Sequence, residues 1–217
     1  MGGSIPKTYM PIAGRPLVLR TLDRVFCSRR IGKVILVVAK KDIPRCKSLI
    51  ESDPNLSGRV WALQAGGRSR QESVRRGLEQ LDEDCEIVVI HDGARPFISP
   101  SLIDRCVEEA YRFGAVVIGL PVKDTIKVVS EQHWVQATPC RDTLREIQTP
   151  QVFRKDLIIE AHRLGSRPPF DAPDDATLVE QMGKPIFFVP GERTNLKITV
   201  PEDLWLAEAL LREGRVS

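Results

Sequence analysis

Three short apolar runs, each followed by a polar loop and an amphipathic stretch, constrain this chain most strongly. Residues 33–39 (KVILVVA), 86–90 (EIVVI) and 115–122 (AVVIGLPV) are continuous and rich in β-branched side chains. Runs of that kind suit strands covered on both faces, as in a parallel sheet. The first is expected to be a central strand. Between them lie helical stripes: Leu19, Leu22, Val25 and Phe26 within 16–26; Val74, Leu78 and Leu81 within 71–81; and Ile103, Cys106, Val107 and Ala110 behind Ser99-Pro100. Ser99 is placed to cap that last helix, with proline at its first position, and Gly114 to end it. The order helix, strand, helix, strand, helix, strand predicts an α/β fold with a mostly parallel sheet and helices on both faces.

Residues 124–140 break the alternation. Two short apolar runs separated by Ser130-Glu131-Gln132-His133 read as a hairpin. Inserted between core elements, it is expected to project as an arm whose open strand edges need covering, most economically by a second subunit. Beyond it the pattern predicts a helix over 155–164, a loop containing Pro168, Pro169 and Pro173, a helix over 174–182, a strand over 186–189 and a last helix from Pro201. The 217 residues are read as a single domain.

Composition excludes several classes. The 32 basic and 29 acidic residues leave a formal charge of +3, too even for a general nucleic-acid binder. No apolar run approaches the roughly 20 residues of a membrane helix. Five cysteines without close pairs suggest neither a zinc site nor a secreted disulfide framework, and no leader is visible, so a reducing cytoplasmic setting is expected.

In open α/β sheets ligands gather beyond the carboxyl ends of strands. His91-Asp92-Gly93-Ala94-Arg95-Pro96 falls at such an end, with a carboxylate and a guanidinium three residues apart; the plain alternative is a turn held by an Asp-Arg pair. Gly66-Gly67-Arg68-Ser69-Arg70-Gln71-Glu72-Ser73 offers close backbone approach, two cations and a helix start to an anion, though an ordinary surface turn has the same residues. Lys197 in Asn195-Leu196-Lys197-Ile198-Thr199 and Lys7 in Ile5-Pro6-Lys7-Thr8-Tyr9 are further cations, each also readable as a solvated lysine. Asp174 and Asp175 sit where a helix begins, which suits capping. The three histidines, His91, His133 and His162, have no metal-site or triad spacing.

Taken in order, several motifs resemble the 2-C-methyl-D-erythritol 4-phosphate cytidylyltransferases of the non-mevalonate isoprenoid pathway. They are PKTYMPIAGRPL at 6–17, GGRSRQESV at 66–74, HDGARPF at 91–97, PVKDTIK at 121–127, QTPQVF at 148–153, DDA at 174–176 and NLKITVPEDL at 195–204. The resemblance implies a Rossmann-like nucleotidyltransferase core and a homodimer joined by arms. It further implies Mg²⁺-dependent attack of an alditol phosphate on the α-phosphorus of CTP, releasing pyrophosphate. By the same resemblance Lys7 and Lys197 are the catalytic cations, and Gly67 and Ser73 recognise cytosine. Asp92 contacts ribose or substrate hydroxyls, Arg95 holds the methylerythritol phosphate, and Thr138 and Lys155 serve that phosphate from the neighbouring subunit. No metal ligand is assigned.

Some features depart from the family pattern. The hydrophobic first strand and Ala-Ala-Gly-x-Gly-x-Arg-Met loop typical of the family do not precede Pro6; Met1 stands where that motif ends, so the natural start is expected upstream. Cys140 replaces an aspartate, and Pro173 a threonine. Two other readings stay open: a cytidylyltransferase for another alditol phosphate such as ribitol 5-phosphate, and a non-catalytic dimeric homologue.

Overall fold

The computed structural model describes residues 6–165 and 172–216; the prolines at 168 and 169 lie outside them. After a turn of 3-10 helix at Lys7–Tyr9, strands β1 (Pro11–Ile12) and β2 (Arg15–Pro16) form a tight hairpin. Its corner is Ala13-Gly14, both at positive φ. Helix α1 (Leu17–Phe26) follows and buries Leu17, Val18, Leu19 and Leu22; of the stripe expected from spacing, Leu19 and Leu22 are buried while Val25 and Phe26 are half-buried. Next come β3 (Val34–Val38), α2 (Ile43–Glu51), β4 (Val60–Ala65), α3 (Arg70–Leu78) and β5 (Ile87–Ile90). Helix α4 (Pro100–Phe113) is capped by the Ser99 hydroxyl, which accepts from the Leu102 amide, and stops at Gly114 with φ 87°. Then follow β6 (Ala115–Pro121), β7 (Val128–Val129), β8 (Val135–Ala137), β9 (Arg145–Arg154), α5 (Lys155–Gly165), α6 (Asp175–Gln181), β10 (Phe187–Pro190) and α7 (Pro201–Arg212).

The larger sheet has the order β10-β6-β9-β5. Strand β10 runs parallel to β6, whereas β9 runs antiparallel to both β6 and β5. The sheet is therefore mixed, where apolar runs alone suggested mostly parallel strands. The chain leaves β6, makes the arm, and returns directly as β9, so β9 re-enters in the opposite sense. Spacing did not reveal β9, because its core-facing residues include Gln148, Thr149 and Gln151, buried yet polar. Nor did it assign α2 and β4; β4 carries an exposed Trp61.

A correction concerns β3. It pairs in parallel with β4 in a separate two-stranded sheet, and all five of its residues keep partial exposure, so it is not a covered central strand. Among the described residues neither the second edge of β3 nor that of β5 has a strand partner. Apolar side chains from α1 nevertheless reach the cores under both sheets: Leu22 and Phe26 join the cluster that Leu36 and Val38 pack against, while Val25 joins the one that Ile87 and Val89 pack against.

The arm forms as expected. β7 and β8 pair antiparallel, with His133 at φ 66° in the turn. It stands clear of the core, leaving Trp134 77% and Val135 60% exposed. No helix among the described residues is long and apolar enough to cross a membrane.

The main core lies where β9 is clamped. Phe153 is fully buried, pairs in register with Val88 and Ala115, and packs among Leu78, Ile158 and Leu178. Phe153→Ala is expected to cost about 3–5 kcal/mol in denaturant unfolding; a loss under about 1 kcal/mol would contradict this packing.

Candidate active site

Strand β5 ends at Ile90, and the chain turns at once. The Asp92 amide donates to the Thr149 hydroxyl at 3.0 Å, and the Arg95 amide donates back to the Asp92 carbonyl at 3.0 Å. A segment about 100 residues away closes over this turn: the Ile198 amide donates to the Ala94 carbonyl at 2.9 Å. Arg95 Nη1 donates to the Asn195 carbonyl at 2.8 Å. Asn195, fully buried, donates from Nδ2 to the Thr149 carbonyl at 2.9 Å. Beneath lies a small apolar core of Ile12, Leu17, Ala94, Phe97, Ile198 and Ala207. It joins the N-terminal hairpin, the β5 turn and α7, and so aligns three distant stretches at one end of the sheet.

Asp92 is the electrostatic centre. Lys197 Nζ lies 2.9 Å from its Oδ2 and Arg95 Nε 3.4 Å from the same oxygen. Burial alone pushes the Asp92 carboxyl up; Lys197, Arg95 and Arg70 outweigh it and hold the carboxyl below its usual range. Burial lowers the Arg95 guanidinium, partly offset by Asp92. His91 is pushed down to about 4, mainly by burial. Its Nδ1 meets the Thr149 hydroxyl at 3.1 Å and its Nε2 the Arg95 carbonyl at 3.2 Å.

The glycine loop between β4 and α3 is built from its own side chains. Ser69 caps α3 through the Glu72 amide. The Gly67 amide donates to the Ser73 hydroxyl at 3.0 Å, and that hydroxyl donates to the Ser69 carbonyl at 2.8 Å. Glu72 accepts from the Arg68 amide at 2.7 Å and pairs with Arg76. A Cβ on Gly67 would lie 2.3 Å from Glu72 Cγ, so the turn requires glycine there. Ser73 spends its only O–H inside the loop, leaving acceptor capacity for a ligand.

The other expected residues are placed as follows. Lys7 is exposed, and its charge helps lower Asp203 in the first turn of α7, six residues beyond Lys197. Lys155 is not brought to Asp92 within the chain: it sits at the opposite end of β5, donating to the carbonyls of Asp82 and Glu83 at 2.6 and 3.2 Å. Thr138 is exposed on the arm and accepts from Lys127 Nζ at 2.8 Å. A cavity of about 580 Å³ at the arm's root is lined by Lys123, Arg141 and Arg145, with Asp142, Pro121 and Val122. Sequence reasoning missed Thr149, Gln148 and Asn195, whose bonds hold the site's turn in place; buried amides and hydroxyls leave no periodic trace.

The comparisons decide the family. A family model described as IspD, 2-C-methyl-D-erythritol 4-phosphate cytidylyltransferase, matches residues 1–213. The chain belongs to this family. A relative of that name from Desulforamulus reducens is 42% identical over 98% of this chain and 90% of its own length. The chloroplastic protein of that name from Oryza sativa subsp. japonica is 38% identical over 98% of this chain and 70% of its own. Among solved structures, 4-diphosphocytidyl-2C-methyl-D-erythritol synthase from Anaerococcus prevotii superposes with a TM-score of 0.87 at 33% identity, covering 97% of this chain and 92% of that one. The Thermus thermophilus 2-C-methyl-D-erythritol 4-phosphate cytidylyltransferase gives 0.78 at 38% identity, with 95% and 94% covered. This cytidylyltransferase fold agrees with the α/β expectation.

Nucleotidyltransferases of this family generally depend on a divalent cation. Among the described residues no three His, Cys, Asp or Glu side chains gather as a ready-made cage.

Because the folded His91 takes up a proton near pH 4 and the unfolded ring near 6.5, its contribution is complete above 6.5 and lost as pH falls toward 4. At about 1.4 kcal/mol per unit, this is worth up to about 3 kcal/mol. Unfolding measured across that window is expected to be less steeply pH-dependent in His91→Gln than in wild type. Equal slopes would contradict the assignment.

Proposed function

We propose that the chain transfers a cytidylyl group from CTP to 2-C-methyl-D-erythritol 4-phosphate, forming 4-diphosphocytidyl-2-C-methyl-D-erythritol and pyrophosphate, as family membership implies. The observation that carries the reading is the Lys197–Asp92–Arg95 cluster at the carboxyl end of β5, in a chain that matches this family over residues 1–213.

Both reactants are anions, so the barrier includes bringing two phosphates together. Lys197 and Lys7 serve as the cations that offset this repulsion and stabilise charge on the transferring phosphorus and the departing pyrophosphate. Lys197 is 41% exposed yet tethered to Asp92, which preorganises it without burying its charge. Asp92 has a second role toward ribose or substrate hydroxyls. The loop at Gly67 and Ser73 takes the cytosine, with the Ser73 lone pair open to a base N–H. Arg95, mostly buried and bonded to Asn195, acts on the alditol phosphate mainly through its field and by fixing Asp92. When bound, Mg²⁺ would neutralise part of the phosphate charge.

The arm reads as a dimer contact. Val128, Val129, Trp134 and Val135 are large apolar residues exposed on a two-stranded ribbon, which a second subunit would cover. Thr138 then comes to the neighbouring subunit's alditol phosphate, alongside the basic cavity at the arm's root. Lys155 can join it only across the dimer, since within its own chain its ammonium is engaged by carbonyls. Five free cysteines fit work in a reducing compartment. Trp134→Asp is expected to shift sedimentation from dimer toward monomer at micromolar concentration; an unchanged dimer would place the interface elsewhere.

Pyrophosphate release from CTP with 2-C-methyl-D-erythritol 4-phosphate and with ribitol 5-phosphate tests the substrate, and preference for ribitol phosphate would overturn it. Lys197→Ala is expected to lower kcat roughly 100-fold or more while costing about 1–3 kcal/mol of stability, the usual worth of a hydrogen bond to a partly buried charge, since Asp92 keeps Arg95 as a partner. A kcat within threefold of wild type would contradict the catalytic assignment.

A further inference from the structure

The Asp174-Asp175 pair does not act as two caps. Asp174 caps α6, its Oδ1 accepting from the Thr177 amide at 2.9 Å. Asp175 turns inward and is 1% exposed. Its Oδ1 meets His162 Nε2 at 3.0 Å and its Oδ2 meets Arg70 Nη2 at 2.6 Å. Its amide donates to Gln151 Oε1 at 3.0 Å. His162 is 2% exposed, and its Nδ1 has no partner among the described residues. The ring is therefore best satisfied donating Nε2–H to the carboxylate with Nδ1 as a bare acceptor.

A carboxylate sealed this deeply is costly unless compensated. Both of its oxygens are taken, so it contacts no ligand itself. What it holds does face outward: the Arg70 side chain is 34% exposed, carries further N–H donors, and opens α3 directly after the glycine loop. The Arg70 charge also reaches Asp92. The next residue strengthens the same joint: Gln71 accepts from the Ala172 amide at 2.8 Å and donates to the Gly165 carbonyl at 2.9 Å. The start of α3 is thus clamped to the α5–α6 layer by two consecutive side chains. A salt bridge serving only to glue α3 to α6 would not need a buried histidine behind it and a guanidinium left open toward the site.

We propose that Asp175, backed by His162, is a positioning residue that holds Arg70 at the rim of the Asp92 site as a cation for the phosphates of the bound nucleotide. This rests on the reading that the site takes CTP.

The test compares Arg70→Gln, Arg70→Lys, Asp175→Asn and the Arg70→Gln/Asp175→Asn double variant of the full-length protein. CTP affinity is read by calorimetry, kcat and both KM values by pyrophosphate release, and folding by thermal melting. Arg70→Gln is expected to raise Kd and KM for CTP about tenfold, a typical loss for one charge-assisted contact. The KM for the alditol phosphate should move less than twofold and kcat less than threefold. Arg70→Lys should recover part of the loss. Asp175→Asn should mimic Arg70→Gln, and the double variant should be no worse than Arg70→Gln alone. A purely structural role would instead lower the active fraction, reducing kcat at unchanged KM, and that outcome overturns the proposal, as would multiplicative losses in the double variant. Should Asp175→Asn fail to fold, Arg70→Gln still decides, since unchanged CTP binding there refutes it. Absence of CTP binding in the wild type would refute the underlying reading as well; binding in wild type and equally in Arg70→Gln refutes this inference alone.

Discussion

A partly buried carboxylate held between two cations organises this end of the molecule. Asp92 stands 18% exposed between Lys197 and Arg95, and it stays ionised because their charges outweigh the burial that would neutralise it. Removing that balance would leave either an uncompensated anion or two cations facing each other. Keeping it requires residues near 92 and near 197 to meet to within an ångström or so. The backbone bond from Ile198 to Ala94 and the arginine bond to Asn195 perform that alignment, and the small apolar core under them removes the freedom to slide.

The same end of the sheet receives the glycine loop from a different sheet. Strands β3 and β4 deliver Gly66 and Gly67, while β5 delivers Asp92. Those sheets share no strand pairing among the described residues, so their relative placement relies on helices. Helix α3 packs on β3 and contributes Val74 and Leu78 to the core around Phe153, and its first turn is tied to α6 through Arg70 and Asp175. Geometry at the site is therefore inherited from side-chain joints as much as from sheet hydrogen bonds, and a joint can be tuned by single residues.

Much of this was legible in the sequence where a physical period or a stereochemical demand left a mark. The α1 and α4 stripes, the Ser99 cap, the Gly114 stop, the β5 and β6 runs and the arm all follow from spacing or backbone preference. Asp92 and Arg95 were marked by the abrupt end of an apolar run, and the Gly67 requirement by the adjacent glycines. The parts that escaped were those set by distant partners. Strand β9 buries Gln148, Thr149 and Gln151, which break the apolar run because their side chains bind the segment near 195, the β5 turn and the start of α6. Asp175 looked like a cap, since nothing local tells a carboxylate facing water from one facing a buried histidine. Lys155 looked available; its engagement with two carbonyls depends on where β5 begins.

The central claim is that Lys197, tethered to Asp92, lines the nucleotide-phosphate site. The most direct measurement is lysine-selective acylation of the native protein with and without saturating CTP and Mg²⁺, mapped by mass spectrometry. The account predicts that labelling of Lys197 slows about tenfold or more when CTP binds, while Lys184, exposed ahead of β10 at the end of the sheet away from Asp92, reacts at its original rate. Labelling of Lys197 that is indifferent to CTP, in protein shown to bind it, would contradict the account.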